Sequence, residues 1–84
     1  MLFRSKKAEP FLVTVDPEQD SALTPHTHEG QEFNYVVSGE LEFHLNGIVY
    51  KLGEGDSVYF DCSIPHAVRA AGSQPAKFIA VVIK

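Results

Sequence analysis

The chain has no tryptophan, one methionine and a single cysteine, Cys62, in 84 residues. One cysteine excludes an internal disulfide and any cysteine-rich metal cluster. The N-terminus has no apolar run followed by a cleavage site, and no stretch approaches the length of a membrane span. Basic residues are scarce, with seven Lys and Arg against eleven Asp and Glu and a net charge of -4. Nucleic acid as a direct partner would require a basic face that the chain does not offer. The small cluster Arg4, Lys6, Lys7 reads as a solvated end. These absences together predict a cytoplasmic protein with no membrane contact. A further absence bears on the fold: no segment carries an amphipathic helical period of useful length.

Short alternating segments separated by turn residues are abundant. With 44% apolar residues the chain can form a core, and its length predicts one small domain over residues 1–84, with the core at about 11–83. Phe11–Val15 reads as a first strand, and a weak one is predicted at Ala22–Thr24 before Pro25. Glu40–Leu45 alternates cleanly. Asn46-Gly47 is the strongest local signal, a two-residue hairpin turn that needs two positive φ values. Folding about it pairs Leu45 with Ile48, Phe43 with Tyr50, Glu42 with Lys51 and Leu41 with Leu52. The expected core face is Leu41, Phe43, Leu45, Ile48, Tyr50 and Leu52. A Glu42–Lys51 charge pair is expected outside, worth about 0.2–1 kcal/mol. Gly53-Glu54-Gly55-Asp56 is a tight turn, and strands follow at Ser57–Phe60, His66–Ala70 and Lys77–Ile83. About eight short strands predict an all-β, two-sheet antiparallel sandwich or small barrel.

The chemistry concentrates in His26 to Gly39, HTHEGQEFNYVVSG. On extended backbone His26 and His28 share a face, and Glu32, Asn34 and Val36 share one face of the strand that follows. Gly30 is placed to take a positive φ and redirect Glu32 toward the histidines. Two imidazoles and a carboxylate suit Fe, Mn, Ni, Zn or Cu. H-x-H pairs also occur on solvated loops, and a closed site wants one more ligand, from His44 or His66. His44 falls on the outer face of its strand and reads as a surface histidine. A small barrel can point His26, His28, Glu32 and His66 into one cavity. Glu29 is a lesser carboxylate candidate, in the loop. Asn34 and Tyr59 are the other polar groups near the expected cavity. Cys62 reads as a small buried hydrophobe.

These residues resemble the two motifs of the cupin superfamily. His26, His28, Glu32 and Gly39 match the first, without its leading glycine; Gly55, Asp56 and His66 match the second, where Phe60-Asp61 stands in place of the usual proline and glycine. The resemblance implies a small antiparallel double-stranded β-helix, a jelly-roll barrel, with His26, His28, Glu32 and His66 as four ligands to a divalent transition metal. EPFLVTVDPE, HTHEGQEFNYVVSGELEF and LGEGDSVYFDCSIPHAVRAAGSQPAKFIAVV are similar to the sensor half of helix-turn-helix/cupin transcriptional regulators. The chain has no room for a DNA-binding half and is expected to be a stand-alone relative or a fragment.

The expected function is metal binding coupled to binding or sensing of a small molecule. The alternative is a small metal-dependent enzyme, a dioxygenase, isomerase or epimerase. The blandest reading is a structural domain with a vestigial site. A homodimer is also expected. If Asn34 and Val36 face the cavity, Phe33, Tyr35 and Val37 point outward and need a cover.

Overall fold

The computed structural model describes residues 7–17 and 25–84. The strand expected at Ala22–Thr24 lies outside the described residues. Seven strands follow in order: β1 Ala8–Val15, β2 Gln31–Ser38, β3 Leu41–Leu45, β4 Ile48–Leu52, β5 Ser57–Asp61, β6 His66–Ala70 and β7 Ala76–Ile83. They form two antiparallel sheets, one in the order β1-β7-β2-β5 and the other β4-β3-β6. The chain is thus all-β, with the two-sheet architecture of a jelly roll. Among the described residues no helix is long and apolar enough to cross a membrane.

Local chemistry sets the connections. Asn46 and Gly47 both take positive φ, 51° and 84°, and the β3–β4 register is the one the turn dictates, from Leu45↔Ile48 to Leu41↔Leu52. The Gly53–Asp56 turn is closed twice: Gly53 N–H donates to Asp56 Oδ2 at 2.8 Å, and Asp56 N–H donates to the Gly53 carbonyl at 3.0 Å. Gly55 N–H and Val36 N–H then tie that turn to β2.

The interior is built from alternate residues of facing strands. Val36, Leu41, Ala70, Ala76, Phe78 and Ala80 form one buried cluster. Phe43, Phe60 and Cys62 form a second. Half-buried Leu52 and Val68 pack against both. The β2 faces are as the alternation predicts: Asn34 and Val36 are buried, while Phe33, Tyr35 and Val37 are 36%, 42% and 44% exposed.

Three expectations need correction. Ile48 and Tyr50 share the inner-face register of β3 but are 56% and 45% exposed. β4 is an edge strand, and an edge position receives cover from one side at most. Glu42 faces Lys51 in register, but its carboxylate bonds to Arg69 Nε at 2.9 Å and to His44 Nε2 at 3.0 Å. The guanidinium on β6 offers a planar fork that a lysine lacks. Tyr59 lies on the outer face, mostly exposed, and donates its hydroxyl to Gln31 Oε1, so it is not an interior polar group.

Candidate metal centre

The segment from His26 to Gly30 sews the two sheets together at one end of the sandwich. His26 and His66 exchange both backbone hydrogen bonds, at 2.8 and 3.0 Å. His28 N–H donates to the Cys62 carbonyl at 2.9 Å, and Cys62 N–H donates to the Gly30 carbonyl at 3.0 Å. Gly30 takes φ 96°, as predicted, and turns the chain into β2. A side chain there would meet the Ile83 carbonyl oxygen at 2.4 Å, so the turn also depends on close backbone approach.

The opposing loop, from Asp61 to Pro65, is shaped by Asp61. Its Oδ1 accepts from Ser63 N–H at 2.9 Å, and its carbonyl accepts from Ile64 N–H at 3.1 Å. The Ser63 backbone donor, with its side chain in support, holds the Asp61 carboxyl below its ordinary range. The loop delivers Cys62 and His66 to the inner side.

The donor atoms of His28, Glu32, Cys62 and His66 all lie within 4.8 Å of one another. Three of these were anticipated as ligands. His26, the fourth anticipated ligand, is exposed and outside that group, but its backbone pair with His66 sets both side chains on one face of the ladder. Cys62 is the member that sequence reasoning missed. A lone cysteine inside an irregular loop has no periodicity to say which way it points. The weak signal was its place four residues before His66. His44 stays outside, half-buried on the outer face with Glu42. Glu29 is exposed in the loop, and its backbone carbonyl, not its carboxylate, contacts the site.

Both site imidazoles are fixed in tautomer by backbone carbonyls. His66 Nδ1 lies 2.9 Å from the Ile64 oxygen and His28 Nδ1 lies 3.1 Å from the Glu29 oxygen. A carbonyl oxygen only accepts, so each Nδ1 carries the proton. In the neutral ring each Nε2 then presents a lone pair, the arrangement by which ligating histidines are oriented. His28 Nε2 stands 4.0 Å from Glu32 Oε1. That is too long for a hydrogen bond. Two metal–ligand bonds of about 2.0–2.2 Å span such a gap. The rings pack edge to face, with centroids 5.2 Å apart, and Phe60 backs His66 at 4.8 Å. Burial pushes the Cys62 thiol pKa up, and the nearby Glu32 and Asp61 carboxylates push it the same way. The two Nε2 lone pairs and the Glu32 carboxylate therefore converge as donors that fit a divalent transition ion, with the Cys62 thiol beside them.

One buried group has no partner. Asn34 Oδ1 is the only buried side-chain nitrogen or oxygen among the described residues without a hydrogen bond. Asn34 shares the inner face of β2 with Glu32. An unmet buried acceptor costs about 1–3 kcal/mol, so a donor from water or ligand is expected there.

Comparison with known proteins agrees with this architecture. The Cupin_2 family, described as a cupin domain, matches residues 11–82. An oxalate-binding protein of Thermotoga maritima is 34% identical over 64 residues, covering 75% of this chain and 53% of that protein. The chain thus spans about half the length of the curated relatives it matches. The crystal structure of the Cupin_2 domain of an XRE-family transcriptional regulator from Enterobacter cloacae superposes with a TM-score of 0.81 at 31% identity, over 93% of this chain and 82% of that one. The iron(II) form of HppE superposes with a TM-score of 0.80 at 30% identity, over 92% of this chain and 43% of that one. With the family match running from β1 to β7 and the fold shared with these structures, the chain belongs to the Cupin_2 family of cupin domains.

Proposed function

We propose that this cupin, a single domain over residues 1–84, holds a divalent transition ion through His26, His28, Glu32 and His66 and uses it to bind or sense a small molecule. The observation that carries the reading is the pair of Nε2 lone pairs, fixed by the Glu29 and Ile64 carbonyls and converging with the Glu32 carboxylate. His26 joins by rotation of its side chain, on the face it shares with His66 across their backbone pair. Three imidazoles and one carboxylate suit Fe(II), Mn(II) or Ni(II) with exchangeable positions left over, and Zn(II) with fewer. A bound ion supplies a Lewis-acid centre for an oxygen donor of the small molecule. Asn34 Oδ1 supplies an acceptor for an N–H or O–H of that molecule or of a water beside it. The name of the Thermotoga relative makes oxalate the first ligand to test.

Elemental analysis of untagged protein, followed by calorimetry of the Mn(II), Ni(II) and Zn(II) forms with oxalate and a carboxylate panel, tests the reading. Stoichiometric metal and saturable binding are expected. Substoichiometric metal with no uptake on reconstitution overturns it. A second reading, a small metal-dependent enzyme such as a dioxygenase, isomerase or epimerase, is favoured by the likeness to iron(II) HppE. Turnover by the iron-loaded protein that disappears in His66→Ala decides for it.

The partner in this reading is a second copy of the chain. Phe33, Tyr35 and Val37 stand out from β2, and Ile79 stands out from neighbouring β7. A contiguous apolar face of this kind on a sheet is a site for association. Sedimentation at micromolar concentration is expected to show a dimer, weakened by Tyr35→Glu without loss of metal.

A further inference from the structure

Cys62 has a place in this site that a small buried hydrophobe does not need. Its sulfur lies within 4.8 Å of the donor atoms of His28, Glu32 and His66. It is fully buried, packed with Phe43 and Phe60. Both of its backbone groups are spoken for, by His28 N–H and the Gly30 carbonyl, so the Cα cannot drift from the site without unpicking the segment that carries the histidines. The neighbouring imidazole of His66, itself about nine-tenths buried, is turned by Ile64 so that Nε2 carries its lone pair. Asn34 Oδ1, on the inner face beside Glu32, is a further buried polar atom with no partner.

We propose that Cys62 is a metal donor alongside His26, His28, Glu32 and His66, with four of these five donors, all but His26, already gathered. This rests on the metal-binding reading and adds a ligand to it. The bond forms between sulfur and the ion, and the thiol proton leaves to solvent. With bonds of about 2.3 Å to sulfur and 2.0–2.2 Å to nitrogen and oxygen, neighbouring donors on one ion stand roughly 3–3.5 Å apart. Each donor here has under about 1 Å to move to reach that arrangement. The consequence is selectivity. Thiolate favours Zn(II) and Co(II) over Mn(II), which is content with oxygen and nitrogen alone.

Cobalt(II) titration of the untagged, metal-free, reduced protein tests the assignment. Visible ligand-field bands shifted or strengthened relative to those of aqueous cobalt(II) report that the ion is bound, whatever the donors. A near-ultraviolet sulfur-to-cobalt charge-transfer band reports the thiolate. Both sets are expected in the unaltered chain, and Zn(II) should abolish both by displacement. Cys62→Ser is expected to keep the ligand-field bands and lose the charge-transfer band, while His26→Ala, which removes one imidazole donor, weakens cobalt binding but keeps the charge-transfer band of the cobalt that is bound. Shifted or strengthened ligand-field bands without charge transfer in the unaltered protein overturn the Cys62 assignment and leave the metal site standing. Ligand-field bands identical to those of aqueous cobalt(II), with no charge transfer, overturn the metal reading itself. The unaltered chain decides the question, so a poorly folding variant does not obscure it.

Discussion

The two ends of β2 share one inner face and do different work. At its start that face carries Glu32, a member of a cluster of nitrogen, oxygen and sulfur donors, and then Asn34 with its unmet Oδ1. At its end the same face presents Val36 to Leu41, Ala70, Ala76, Phe78 and Ala80. Each end is bounded by a positive-φ glycine pressed against β7 or its approach: Gly30 on the Ile83 carbonyl and Gly39 on Pro75 and Ala76. The backbone scaffolding is thus similar at the two ends while the side chains diverge. One end contributes burial energy, and the other gives burial up to gather groups that are costly to desolvate. A small β domain can carry a polar site in its interior because the site occupies only one end.

Substitutions can break this division. Phe78→Ala at the apolar end should cost about 3–5 kcal/mol in urea unfolding and leave metal stoichiometry in the folded fraction unchanged. Metal loss from folded Phe78→Ala protein would show that the two ends are not separable. Gly30→Ala should be nearly as damaging, about 3 kcal/mol or more, since strain at positive φ adds to a backbone clash. Gly47→Ala, with φ 84° and open space around its would-be Cβ, is the control and should cost about 1 kcal/mol. Asn34→Leu should stabilise the ligand-free protein by about 1–3 kcal/mol by removing an unmet acceptor, and should weaken small-molecule binding measured by calorimetry. A destabilised Asn34→Leu would mean that the carbonyl already has a partner.

On the outer face of the sandwich the smallest effect is expected, at Glu42 of β3. Hydrogen bonds from His44 and Arg69 lower its pKa from the ordinary 4.5. A lowered folded pKa contributes stability that is present above the unfolded value and is lost as pH falls through the folded one. Glu42→Gln should therefore unfold at slightly lower urea concentrations than the parent at pH 7, and the difference should vanish as pH falls through the lowered pKa of folded Glu42. A difference that grows toward acid would reverse the assignment.

The sequence was readable where geometry is local. Asn46-Gly47 dictated a hairpin register that every β3–β4 pair obeys. Alternation separated Asn34 and Val36 from Phe33, Tyr35 and Val37, and Gly30 announced its turn. Long-range facts were not readable. Alternation gives Ile48 and Tyr50 a face but does not say whether another sheet reaches it. Glu42 had two cross-strand neighbours, Lys51 and Arg69, and only the fold decides between them. Cys62 sits in a loop where no period applies, and its side is set by backbone bonds to a segment more than thirty residues earlier in the chain.

The backbone seam between the His26–Gly30 segment and the Cys62–His66 loop has a kinetic and entropic side. Donors on either side of it are brought together only when a long loop containing β2 to β5 has closed. An ion bound across that seam ties the loop at its neck. A permanent cross-link over a loop of this length restricts the unfolded chain by roughly 3–4 kcal/mol. A chain whose one cysteine cannot form a disulfide with itself would thus obtain a reversible staple, whose strength rises with the free concentration of the ion.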